Sequence, residues 1–359
     1  MADLGSTAPA EDIDNPIVAA ERLDAQSRHG EAVELLARAA NAGDLDALTR
    51  LGLRLLVGQH GLARPADGLR LLANAAEAGS GDAAGRLAVV AGLGFYARQS
   101  WPGALDCLQR SAAMGSPSSQ EQLRLLAQGP AAEPVAAGDD WAGLRRAVDL
   151  GFWTSAPSSS PLCPSPLIYS MKGLIPPAVS AWVIQQSRPR LAPAEVYDPQ
   201  TGRSGRSEET RLNSIANFGL AETCLLNLMV QARVSAAVRV PASHLEAFAV
   251  LHYEVGEEYG EHFDYLDPQI PGYAAEIARM GQRVATCLIY LNDDFEGGVT
   301  EFPQLGLSYR GAAGDALVFF SADAAGAPDR RTVHAGRPPT AGQKWLLSQF
   351  IRNRPVIGG

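Results

Sequence analysis

The feature that most constrains this chain is a repeat. The segments LLARAANAG (35 to 43), LLANAAEAG (71 to 79) and CLQRSAAMG (107 to 115) superimpose, and their closing glycines Gly43, Gly79 and Gly115 are 36 residues apart. Gly151, ending LRRAVDLG, continues the period. Each unit spaces Leu and Ala by three and four residues, closes on a Gly suited to a left-handed helix end, and then starts a second apolar helix such as LDALTRLGLRLLVG. One such hairpin cannot bury its apolar face alone, so a period in the thirties with two helices per unit predicts stacked helical hairpins, a solenoid. The small residues Ala39, Ala40, Ala75, Ala76, Ser111 and Ala112 allow close helix approach.

The pattern resembles the Sel1-like subfamily of tetratricopeptide-type repeats over residues 26 to 151, with the last unit only a first helix. The resemblance implies protein or peptide binding, and the alternative is an array that merely caps a second domain. With 359 residues, two domains are expected. The expected boundaries are a flexible N-terminus at 1–25, repeats at 26–151, a Ser/Pro-rich linker at 152–169 and a second domain at 170–359. The linker rests on TSAPSSSPLCPSP, whose five Ser and four Pro disfavour helix and central strand alike.

Charge narrows the function classes. The net charge is -9 and no stretch concentrates Lys and Arg as a phosphate-binding face requires, so nucleic acid is not an expected partner. The acidic start lacks the basic and apolar regions of a signal peptide, and no run of roughly eighteen apolar residues occurs. A cytoplasmic chain without a membrane partner is expected. Cys107, Cys163, Cys224 and Cys287 are scattered and read as reduced thiols.

The second half changes character. A helix-like stretch, PPAVSAWVIQQSRPRL, precedes the strand candidates LEAFAVLHYEV, RVATCLIYLND, DALVFF and KWLLSQFI, separated by Gly, Pro and Asp. In Tyr259-Gly-Glu-His262-Phe-Asp264, residues two apart on an extended strand share a face, so His262 and Asp264 point together. A neutral imidazole and a carboxylate suit Fe(II), and a second imidazole would complete a two-His, one-carboxylate triad with open positions. His29 and His60 belong to the repeats, and His244 and His252 lack an obvious partner. His334 remains. A turn-rich stretch then leads to Lys344, so a hairpin placing the two on adjacent antiparallel strands is expected. A buried Lys needs an anion, and the distal carboxylate of 2-oxoglutarate supplies one.

In order, HFD (262 to 264), YLNDDFEGGVTEFP (290 to 303), HAG (334 to 336) and GQKW (342 to 345) resemble the motifs of the prolyl 4-hydroxylase group of Fe(II)/2-oxoglutarate dioxygenases, over roughly residues 170 to 354. The resemblance implies a double-stranded β-helix, or jelly roll, with flanking helices. It implies that His262, Asp264 and His334 bind iron and that Lys344, Tyr253 and Thr300 contact 2-oxoglutarate. It places Arg211, Glu246, Tyr259 and Arg283 along a peptide groove. Two departures stand out: Phe350 replaces the group's later Trp, and Asn213 stands where that group has a hydroxyl residue, which bears on substrate contacts. Gly297 and Gly298 are expected to form a turn or bulge that carries Thr300 into place.

The implied activity is hydroxylation of an unactivated C–H bond, foremost of a prolyl residue in a peptide or protein, using Fe(II), 2-oxoglutarate and O₂, with ascorbate as a reductant and release of succinate and CO₂. The peptide or protein substrate would be recruited by the repeats. The alternatives are a free amino acid or small molecule as substrate, and a peptide-binding scaffold built on an inactive oxygenase shell.

Overall fold

A computed structural model describes residues 15–61, 63–94, 98–130, 138–198, 203–205 and 211–356. The chain divides into two compact units, one comprising Met1–Ala127, Val135–Val148 and Thr223–Leu228, the other Gln128–Pro134, Asp149–Glu222 and Met229–Gly359.

The helices, in order, are α1 (Pro16–Ala25), α2 (His29–Asn41), α3 (Leu45–Val57), α4 (Pro65–Glu77), α5 (Gly81–Leu93), α6 (Trp101–Ala113), α7 (Pro117–Gln128), α8 (Trp141–Ala147), α9 (Leu150–Trp153), α10 (Pro177–Ser187), α11 (Leu225–Val238) and α12 (Pro271–Met280). The 36-residue period is a repeated helix ending. Gly43, Gly79 and Gly115 have φ of 96°, 108° and 92°. The amides of Asp44, Ser80 and Ser116 reach back five residues to the carbonyls of Ala39, Ala75 and Ser111 at 3.1, 2.9 and 3.2 Å. This is the Schellman closure, which positions lacking a Cβ make cheaply. The following residue then caps the next helix: Asp44 accepts from the amides of Asp46 and Ala47, and Ser80 from that of Ala83. Leu36, Leu72 and Leu108 recur at the same spacing and are all buried.

Small residues set the helix spacing as expected. A Cβ on Gly68 of α4 would lie 2.5 Å from the Leu56 amide nitrogen and 2.6 Å from the Gly52 carbonyl oxygen of α3. Gly68→Ala is therefore expected to destabilise the repeat unit by roughly 1–3 kcal/mol through overpacking. Chemical denaturation checks this, and an unchanged midpoint would mean that α3 and α4 do not approach so closely.

Two expectations about the repeats are corrected. Residues 16–25 of the supposedly flexible N-terminus form α1, because the Asn15 side chain accepts from the amides of Ile17 and Val18, Pro16 opens the helix, and Ala20 is buried beside Ile17 and Leu23. Residues 1–14 of that stretch lie outside the described residues. Gly151 does not close a helix but sits within α9, which Asp149 caps. No described helix is long and apolar enough to cross a membrane.

The strands are β1 (Ser159–Pro164), β2 (Leu167–Met171), β3 (Ala192–Pro193), β4 (Val196–Asp198), β5 (Arg203–Gly205), β6 (Ser214–Asn217), β7 (Ala249–Tyr253) and β8 (Tyr259–His262). They continue with β9 (Arg283–Tyr290), β10 (Glu296–Gly297), β11 (Thr300–Phe302), β12 (Leu307–Tyr309), β13 (Ala316–Phe320), β14 (His334–Gly336), β15 (Pro339–Ala341) and β16 (Lys344–Arg352). An eight-stranded sheet runs β1-β2-β13-β9-β16-β7-β6-β3 and a four-stranded sheet runs β12-β11-β14-β8, with antiparallel pairing throughout. This is the jelly-roll architecture. The Ser/Pro segment 152–169 is not a linker: it ends α9 and supplies the edge hairpin β1–β2 of the large sheet. Pro161 and Pro164 are tolerated there because an outermost strand has no second neighbour to receive their missing N–H.

Register assigns the faces. Thr286, Leu288 and Tyr290 of β9 alternate inward. Their partners Phe350, Ser348 and Leu346 on β16, and Phe319 and Leu317 on β13, share that face. Phe302 of the small sheet packs on Phe319 edge-on, with centroids 5.1 Å apart, joining the sheets in one core with Leu288 and Leu317.

Candidate active site

The three expected metal donors converge. His262 ends β8 and His334 opens β14, and the two are direct cross-strand partners. Their rings lie 4.2 Å apart. Asp264, just past β8, sets Oδ1 3.5 Å from His262 Nε2 and Oδ2 3.6 Å from His334 Nε2. One donor atom from each of the three falls within 4.8 Å of the others.

What orients the imidazoles was not visible in the sequence. His262 Nδ1 donates to the Gly260 carbonyl at 2.8 Å and His334 Nδ1 to the Thr332 carbonyl at 3.0 Å. A carbonyl only accepts, so each Nδ1 carries a proton and each Nε2 is the nitrogen turned toward Asp264, the one that offers a lone pair when the ring is neutral. Burial, reinforced by His262, pushes His334 down to about 4, which keeps it neutral. Burial alone would raise the Asp264 carboxyl, but His334, His262 and the Thr286 hydroxyl hold it below the usual carboxylate range. Two imidazole nitrogens and one carboxylate, with the outward nitrogens tied off, fit a ferrous ion.

Thr286, which the sequence reading overlooked, donates from Oγ1 to Asp264 Oδ2 at 2.6 Å. Its parity with Tyr290 on β9 is the signal that could have found it. Thr286→Val keeps the shape and deletes this bond, so metal affinity is expected to fall roughly 10–100-fold with the fold intact. Competition with a metal indicator dye measures it; unchanged affinity would mean that the hydroxyl does not orient the carboxylate.

Lys344 is fully buried at the start of β16, paired in register with Tyr253 of β7. Its Nζ has no hydrogen-bond partner and lies 4.9 Å from the Tyr253 ring centroid and 6.0 Å from that of Tyr290. Thr300, also buried, sets Oγ1 2.9 Å from Tyr290 Oη, which in turn donates to the Tyr309 carbonyl at 2.9 Å. Burial pushes both the Tyr253 and Tyr290 phenols up, so they remain neutral. An orphaned ammonium among neutral hydroxyls is the cradle of a small anion. Gly297 and Gly298, with φ of 67° and 63°, form the expected irregularity before Thr300, and a Cβ on Gly298 would strike the Phe295 ring at 2.7 Å.

The expected hairpin between His334 and Lys344 does not occur. β14 pairs with β11 and β8 of the small sheet, whereas β16 pairs with β7 and β9 of the large one. Between them β15 pairs with β10, so the Pro-rich turn carries the chain from one sheet to the other. Lys344 and the donors thus belong to opposite layers of the sandwich, bridged by Tyr253, whose hydroxyl lies 3.2 Å from where Gly336 would carry a Cβ.

The groove residues separate into two groups. Arg211 lies over the Tyr259 ring at 4.5 Å, and Tyr259 stacks on His262 at 3.5 Å, a ladder ending on a candidate metal donor. Glu246 and Arg283 instead pair with each other through two bonds of 2.8 and 2.9 Å, Arg352 adds a third to Glu246, and Arg283 covers Phe350 at 3.9 Å. That cluster reaches the donors through Phe350, opposite Thr286 in register.

A model of the 2OG-Fe(II) oxygenase superfamily matches residues 248–352. Prolyl 4-hydroxylase 1 of Arabidopsis thaliana is 30% identical over 203 residues, spanning 53% of this chain and 70% of that protein. Prolyl 4-hydroxylase subunit alpha-1 of Rattus norvegicus is 30% identical over 189 residues, 53% of this chain but 35% of its own length. A viral collagen prolyl hydroxylase from Paramecium Bursaria Chlorella virus-1, solved with 2OG, aligns at a TM-score of 0.40 and 22% identity over 52% of this chain and 95% of that one. The chain belongs to the 2OG-Fe(II) oxygenase superfamily, in its prolyl 4-hydroxylase-like group, and carries helical repeats ahead of the oxygenase unit.

Proposed function

We propose that this chain hydroxylates a prolyl residue of a peptide or protein, with His262, Asp264 and His334 holding Fe(II) and Lys344 anchoring 2-oxoglutarate. The observation that carries the reading is the convergence of two Nε2 lone pairs and one carboxylate, each imidazole fixed by a carbonyl behind it. Bound there, Fe(II) with 2-oxoglutarate and O₂ supplies the oxidising power that inserts one oxygen atom into an unactivated C–H bond, with release of succinate and CO₂.

The chain's own residues bind, orient and exclude water. Lys344 holds the distal carboxylate, Thr300 and Tyr253 provide the neutral polar wall, and Phe302 and Phe319 pack against His334 at 5.4 and 4.7 Å, keeping that side dry. Arg211, Tyr259, Arg283, Glu246 and Phe350 line the peptide groove, where Glu246 and Arg283 act as a fixed pair. The prolyl 4-hydroxylase relatives support prolyl as the target, and the fully formed donor set speaks against an inactive shell. In the same reading the repeats recruit the protein substrate, ascorbate serves as reductant, and four cysteines present as thiols rather than disulfides suit the cytoplasm. Formation of succinate with Fe(II) and proline-containing peptides tests the reading, and turnover with free proline alone would shift it to a small-molecule hydroxylase.

A pH dependence follows from Lys344. Burial pushes its amine down to about 7, so above that pH it is mostly neutral and must take up a proton to hold an anion. The KM for 2-oxoglutarate is expected to rise about fivefold from pH 7 to pH 8, as the protonated fraction drops. A flat profile across that interval would exclude Lys344 as the anchor.

A further inference from the structure

A second set of two imidazoles and one carboxylate lies in the repeat unit. Asp24 of α1, His29 at the start of α2 and His60 in the turn after α3 bring one donor atom each within 4.8 Å of one another. Asp24 Oδ1 is 2.9 Å from His29 Nδ1, while the other carboxylate oxygen is held by the buried guanidinium of Arg54. The His29 and His60 rings stack face to face, with centroids 4.1 Å apart and planes 3° from parallel. Gln59 Nε2 lies 3.4 Å from His60 Nε2.

This arrangement is particular to the first repeat. The helices at corresponding positions start with Pro65 and Trp101 where α2 has His29. Among the described residues, three that are not glycine adopt a left-handed φ, and two of them, Ser27 at 60° and His60 at 57°, sit in the turns that present these side chains. Such conformations are costly for residues with a Cβ and persist where the surroundings impose them. Burial would raise the Asp24 carboxyl, yet the His29 hydrogen bond and the Arg54 charge hold it below its usual value, so it is a carboxylate donor at neutral pH.

We propose that Asp24, His29 and His60 form a three-donor site for a divalent cation of the zinc type, which fastens α1 and the start of α2 to the turn between α3 and α4. Two imidazoles and a carboxylate, with water in the fourth position, are a donor set that borderline cations accept. Arg54 keeps its hold on one oxygen of Asp24 and leaves the other to the ion. His60 is exposed, and for its nitrogen and that of His29 to share one ion its ring would leave the stack it forms in the metal-free chain. The cation takes the place of the proton that His29 Nδ1 now donates to Asp24, that proton moving to Nε2, and so ties α1 and the start of α2 to the turn after α3.

The test is a zinc titration of the metal-stripped full chain by calorimetry, with bound zinc counted after gel filtration. The wild type is expected to bind two equivalents, one here and one at His262, Asp264 and His334. His60→Asn, which suits the left-handed backbone, is expected to lose one equivalent while keeping iron-dependent turnover. His262→Ala is expected to lose the other, and in that variant zinc should still raise the melting temperature. A wild type that binds one equivalent, or a His60→Asn variant that keeps both, would overturn the proposal and show a metal-free stack of polar side chains. A His262→Ala variant that keeps both would instead count against the iron assignment.

Discussion

Replacing His262 by alanine is expected to abolish iron-dependent turnover of 2-oxoglutarate while leaving the chain folded. In the proposed site His262 provides one of three donors, and its Nδ1 is held by the carbonyl of Gly260. Removing the donor itself should cost well beyond the roughly 10–100-fold that losing an outer partner costs. Its side chain is only partly buried, against Tyr259 on one side and His334 on the other, so little core packing is lost. A stability loss of about 1 kcal/mol would move the melting temperature by only a few degrees in a chain this long. Succinate formation and a thermal melt on the same sample separate the two effects, and retained turnover would sink the iron assignment.

The second large effect belongs to Lys344. Its amine is buried without a hydrogen-bond partner, so in the proposed site 2-oxoglutarate would bring the negative charge that keeps it protonated. Breaking a buried ion pair costs about 3–5 kcal/mol, which corresponds to roughly a hundredfold to several thousandfold in affinity. Lys344→Ala is therefore expected to raise the KM for 2-oxoglutarate by that factor. Lys344→Met is expected to do the same while making the ligand-free chain more stable, because an apolar side chain of similar length replaces a costly charge among Tyr253, Tyr290 and Phe295. A Met variant with normal KM, or one that melts lower, would contradict the anchor role.

The two halves were readable to different depths. The repeats announced themselves because one physical device, a left-handed glycine closing a helix, recurs at Gly43, Gly79 and Gly115, with Asp44 and Ser80 capping the helices that follow the first two. Helix α1 carried a legible signal in Asn15-Pro16, a cap followed by the residue best suited to a first helical position, but lay within a stretch read as flexible. The Ser/Pro segment misled because composition reports which strands cannot be central, not which can form an edge.

Within the site, strand parity brought His262 and Asp264 together, and the same rule on β9 would have pointed to Thr286. Two features were out of reach. The carbonyls of Gly260 and Thr332 that orient the imidazoles are backbone groups, which any residue at those positions would supply. The separation of His334 and Lys344 into opposite sheets depends on which strands pair. A short turn between two extended segments fits a hairpin and a crossing between layers equally well. Likewise nothing in the sequence marks Glu246 and Arg283 as partners, since they stand 37 positions apart and meet only through strand pairing.

The most direct test is to incubate the full chain with Fe(II), 2-oxoglutarate and a set of proline-containing peptides, measuring succinate and peptide mass together. The expected result is equimolar succinate and peptide heavier by one oxygen atom on a prolyl residue, both lost in the His262→Ala variant. Succinate absent with every peptide, or peptide oxidation that persists without 2-oxoglutarate, would contradict it.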